Sequence, residues 1–136
     1  MKFVFDDKDQ QWIEQFLTRL ESRTGLKRSL DDLVQKWSDF VSEIETGYDL
    51  YIEDYENDLC VRDILQEVIE GLSPVGREAL ERLIESIDYR FLQATTPVER
   101  PLLPPVDKET VGFWWYRIPK NLGEDLLRDL RQEGFI

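Results

Sequence analysis

"GYDLYIEDYENDLCVRDILQEVIEG", residues 47–71, decides the fold. Its apolar positions follow a helical period, and its polar positions hold eight carboxylates against one cation, Arg62. Tyr48, Ile52, Tyr55 and Leu59 lead into Val61, Ile64, Leu65, Val68 and Ile69, which is the inward stripe of a helix. The stripe changes phase near Asn57. The spacing therefore predicts a helical stretch from about Tyr48 to Leu72 with a kink or fresh start at Asn57, whose side chain would cap "DLCVRDILQEVIE". Arg62, alone in this field, is expected to pair with Asp58 one turn earlier, in the favourable acid-before-base order.

The same grammar recurs on both sides. Upstream, "SLDDLVQKWSDFVSEIETG" offers Ser29 as N-cap, Asp31 and Asp32 in the positive first turn and Gly47 after the end. Its stripe is Leu30, Leu33, Val34, Trp37, Phe40, Val41 and Ile44. Before it, "DDKDQQWIEQFLTRLESRTG" places Trp12, Ile13, Phe16, Leu17 and Leu20 on one face, between a cap at Asp6 or Asp7 and a left-handed stop at Gly25. The leading "KFVF" reads as a short strand or packed arm.

Downstream, "SPVGREALERLIESIDYRFLQAT" opens with an N-cap serine followed by a first-turn proline, Ser73 and Pro74. Its stripe is Val75, Ala79, Leu80, Leu83, Ile84, Ile87 and Phe91, and Arg90 suits the negative helix end. Four of the six prolines then fall in residues 97–105, which excludes regular helix and disfavours a central strand. Val98, Leu102 and Leu103 predict an extended segment lying across the helices. "VGFWWYRIP", 111–119, reads as a strand or extended arm, and a last helix is expected after an Asn121 cap with Glu124 three residues on. The fold class expected is all-α: one domain over residues 1–136, an irregular bundle of four to six helices, a proline-rich crossing segment and little or no sheet.

The composition narrows the chemistry. No histidine occurs, which removes imidazole as a base near neutral pH, the triads that depend on it and the common zinc ligand sets. A net charge of −12 repels phosphate backbones, so nucleic acid is not an expected partner. No apolar run reaches the ~18 residues of a membrane span, and the N-terminus turns acidic too early for a secretory signal. A single cysteine, Cys60, gives no internal disulfide and suits a reducing compartment. The chain is expected to be cytoplasmic, with neither membrane nor cofactor.

From Asp39 to Glu70 the chain carries eleven carboxylates and one cation. An EF-hand counted from Asp54 would need glycine and glutamate where Leu59 and Leu65 stand, so that site is excluded. "EDYE" and "ESID" resemble the two halves of the magnesium site of all-α nucleotide pyrophosphohydrolases. That resemblance implies metal ligation by Glu53, Glu56, Glu85 and Asp88. It predicts that the four converge on a pocket, although the helix after Asp58 intervenes where that family has a short connection.

The preferred reading is a docking face, since concentrated negative charge steers a basic partner. In size, charge and lack of catalytic apparatus the chain resembles small acidic bacterial proteins of the immunity and inhibitor type, which neutralise basic toxins. The residues expected to meet a partner are Asp49, Glu53, Asp54, Glu56 and Asp58, with Trp114, Trp115 and Arg117 of "FWWYR", a combination enriched at binding hot spots. No metal or catalytic residue is assigned in this reading. A third reading makes "FWWYR" the interface of a homo-oligomer, and the structural alternative has it clamp the C-terminal helix to the bundle.

Overall fold

The computed structural model describes residues 5–103 and 112–136. Residues 2–4 of "KFVF", Pro104 and Pro105 of the crossing segment, and Val111 lie outside the described residues. The described chain is an all-α bundle of five helices with one two-stranded sheet: α1 Asp7–Thr24, α2 Leu30–Thr46, α3 Ile52–Gly71, α4 Pro74–Ala94, β1 Thr95–Pro97, a short 3-10 helix Phe113–Tyr116, β2 Arg117–Pro119 and α5 Glu124–Gln132.

Local chemistry sets most boundaries. The Asp6 carboxylate accepts from the Asp9 amide at 2.8 Å to start α1, and Gly25, at φ 74°, ends it in the left-handed region. The α2 start is a reciprocal box in which Ser29 and Asp32 each accept the other's backbone N–H at 3.1 Å. Ser73 caps α4, with Pro74 as its first residue.

α3 differs from its expectation in two ways. It begins at Ile52, because Tyr48 is held outside it by a bridge to Leu122, with the Gly123 amide donating to the Tyr48 carbonyl at 2.8 Å. The first free amides of α3 go to carboxylates, Tyr51 N–H to Asp54 and Ile52 N–H to Asp129 of α5, each at 3.1 Å. Nor is there a break at Asn57. α3 packs against α1, α2, α4, α5 and the 3-10 helix, so its buried residues belong to several faces rather than one stripe. The phase shift near Asn57 marks a change of neighbour within one continuous helix.

The remaining elements close over this central helix. α2 packs on α3 and α4 through Trp37, Phe40 and Phe91, whose rings lie 5.2–6.5 Å apart. Trp12 of α1 donates to the Val68 carbonyl at 3.1 Å and presses on Gly71, where a Cβ would stand 2.0 Å from the indole. The crossing segment runs past the 3-10 helix, with Val98 and Leu102 amides donating to Tyr116 and Trp115 carbonyls and Leu102 buried. The last helix starts from Gly123, not from an Asn121 box, because Asn121 is used in the Tyr48 bridge. No described helix is long and apolar enough to cross a membrane.

Candidate functional site

Asp39 and Glu43 of α2 and Asp58 of α3 line a cavity of about 450 Å³, with the charge of Asp54 one turn before Asp58. Arg28, Lys36, Phe40, Asn57 and Val61 also line it. Burial raises the Glu43 carboxyl above its ordinary range, and the charges of Asp58 and Asp39 raise it further. Asp58 is raised by burial and by Asp54, against the lowering effects of the Tyr48 hydroxyl, which donates to it at 2.7 Å, and of Lys36. The Tyr48 phenol is pushed well above its ordinary value, first by burial and then by Asp58. Glu43 and Asp58 thus hold their charge against burial first and neighbouring carboxylates second, with Lys36 as a partial counterweight at Asp58.

The remaining expected acidic contacts lie elsewhere. Glu53 and Glu56 sit on the side of α3 toward α5, where burial, then Glu53 and Glu133, raise the Glu56 carboxyl. Asp49 is exposed before α3, beside Gly123. Glu45 is paired with Arg90 of α4 at 2.6 Å, a bond that lowers the Glu45 carboxyl; Arg90 reaches across to α2 rather than to its own helix end.

A different set of carboxylates is turned inward. Arg62, 6% exposed, donates from Nε and Nη2 to the two oxygens of Asp88 at 3.0 and 2.9 Å and from Nη1 to Gln66 at 3.1 Å. Its partner is therefore Asp88 of α4, not Asp58, which is bound to Tyr48. Asp88 also accepts from the Trp37 indole at 2.9 Å. One helical position beyond Arg62, Asp63 accepts from the indoles of both Trp114 and Trp115, at 2.9 and 3.0 Å. The Arg62 guanidinium lies over the Trp114 ring at 4.4 Å.

These bonds correct the reading of "FWWYR". The strand alternation expected there would leave one indole outside, but a 3-10 turn places Trp114 and Trp115 together on α3, 4% and 5% exposed. They are not surface contacts. Arg117, half-buried in β2, is taken by the Thr95 hydroxyl and carbonyl, each at 2.8 Å. The patch clamps the segment before α5 to α3.

The magnesium geometry is not formed either. Asp88 is engaged by Arg62 and Trp37, while Glu53 and Glu56 lie by α5. Among the described residues no group of three or more His, Cys, Asp or Glu side chains is arranged to hold a metal ion. Sequence reasoning missed Asp63 and Asp88 as acceptors for tryptophan, and the one available signal was the number of indoles that need a partner once buried. Comparison with family models, curated proteins and solved structures finds no match for this chain.

Proposed function

We propose that the protein is a non-catalytic binding protein of the bacterial cytoplasm whose α2–α3 acidic face engages a basic protein, in the manner of an immunity or inhibitor protein. The supporting observation is the clustering of Asp39, Glu43 and Asp58 around one cavity, where burial first and neighbouring carboxylates second raise the Glu43 and Asp58 carboxyls, although Arg28 and Lys36 share the lining. A partner's lysine or arginine would offset the repulsion between these carboxylates, so complex formation recovers energy the free protein forgoes. The single cysteine and the absence of histidine fit a reducing compartment and a role without general base chemistry.

The test is affinity capture from the lysate of the source organism with a salt-gradient elution, run in parallel on the Asp39→Asn/Glu43→Gln variant. The expected result is a basic protein retained by the natural chain, released at moderate salt and recovered about tenfold less with the variant. Capture that ignores both salt and the substitutions would overturn the proposal.

A further inference from the structure

A second groove, between α3 and α4, has a different character from the acidic face. It encloses about 600 Å³, with Ile69, Ile84, Leu92 and Phe113 along its apolar floor and Glu81 and Glu85 among its lining. Tyr89, Leu92 and Phe113 are 62%, 37% and 39% exposed, three of the nine large hydrophobic side chains left exposed among the described residues. Their concentration in one groove is the pattern of a docking surface rather than of scattered surface apolars. Glu81, Glu85, Tyr89 and Leu92 follow one another at helical spacing along roughly three turns of α4.

The charge of the groove selects the occupant. Arg62 is the one cation among the lining residues, and the bidentate bond to Asp88 neutralises it. Glu81 and Glu85 are exposed, and no described cation lies within ion-pair distance of either. What remains is an apolar floor beside two carboxylates that no described cation compensates. By contrast, the 750 Å³ groove between α1 and α3 carries Arg19 and Arg23 as well as Glu67 and Glu70, and selects no sign of charge.

We propose that the α3–α4 groove docks a cationic amphipathic helix of a partner protein. The helix would lay its apolar side chains on Tyr89, Leu92 and Phe113 and set its lysines or arginines against Glu81 and Glu85. Side chains of α3 and α4 line the groove on its two sides, the setting in which an amphipathic helix lays its apolar face into a groove. The site is separate from the Asp39–Asp58 face and stands without it.

The test is titration of the ¹⁵N-labelled protein with a synthetic leucine–lysine amphipathic peptide of about four helical turns, followed by amide shifts. A peptide of the same lysine content with serine in place of leucine serves as control. The expected result is saturable binding with shifts confined to the α3 and α4 residues of the groove, absent with the serine peptide. Tyr89→Ser and the Glu81→Lys/Glu85→Lys pair should each weaken binding about tenfold, and Asp39→Asn/Glu43→Gln should leave it unchanged.

Three results would overturn the inference. One is shifts that map to the α2–α3 face or appear equally with the serine peptide. A second is binding insensitive to Tyr89→Ser. The third is groove shifts that depend on protein concentration without peptide, which would make a second copy of the chain the occupant.

Discussion

Asp88 and Glu43 lie on neighbouring helices of the same bundle, and both count equally toward a net charge of −12, yet they act in opposite directions. Asp88 is turned inward, takes both arms of the buried Arg62 and the Trp37 indole, and ties α2, α3 and α4 together. Glu43 faces a cavity shared with Asp39 and Asp58 and is held there against their charge. Composition does not distinguish a carboxylate that organises a core from one that is available to a partner. The group it meets does.

The largest effect that can break this comparison is at Asp88. Asp88→Ala leaves Arg62 charged, buried and without its partner, and leaves the Trp37 N–H without an acceptor. A loss of about 3–5 kcal/mol is expected, a large share of a small domain's stability, read by urea unfolding. Asp88→Asn keeps an oxygen for Trp37 and should lose less. Equal losses for the two variants would mean that the retained oxygen counts for nothing and the charge of Asp88 carries the whole effect, whereas an Asp88→Asn chain as stable as the natural one would make the pair only a hydrogen-bonded spacer.

Asp63 comes next. Asp63→Ala strands two buried indole N–H groups, at a cost of about 2–3 kcal/mol, and should shift tryptophan emission to the red as the 3-10 turn loosens from α3. Asp63→Asn retains one acceptor oxygen and should recover part of the loss. If Asp63→Ala changed neither stability nor emission, the turn would be held by apolar packing alone, and the inward class of carboxylates would reduce to Asp88.

These two residues also mark where the sequence stops being legible. Helix positions follow from short-range chemistry: the Asp6 cap, the Ser29–Asp32 box, Ser73–Pro74 and the left-handed Gly25 all involve residues a few places apart. The Arg62–Asp88 pair spans 26 residues and the Asp63–Trp115 bond 52. Local rules offer Arg62 only Asp58, one turn away, and treat a run of aromatics as an alternating strand. The continuity of α3 through Asn57 was hidden for a related reason. A helix packed on several sides has no single stripe, and periodicity reports one face at a time. Within the candidate site, the region of acidic clustering was legible, but its division among three environments depends on which helices become neighbours.

The smallest effect sharpens the comparison most. The Glu43 pKa is raised in the folded protein above its unfolded value, so between those two values the folded chain binds more protons than the unfolded one. Stability therefore falls as pH rises through that window, just above the ordinary glutamate range, and the penalty is constant at higher pH. Glu43→Gln should raise stability at neutral pH by about 0.2–0.5 kcal/mol, with the gain vanishing below the ordinary glutamate pKa. Glu45, two residues away and lowered by its hydrogen bond from Arg90, has the opposite sign. Its contribution is present above the ordinary pKa and is lost as pH falls through the lowered value, so Glu45→Gln should destabilise at neutral pH. Paired pH titrations of unfolding read both. A Glu43→Gln chain that is more stable and captures less basic partner would show charge kept under strain for binding. One that is more stable with capture unchanged would remove Glu43 from the docking face and leave its repulsion as a feature of a solvated surface.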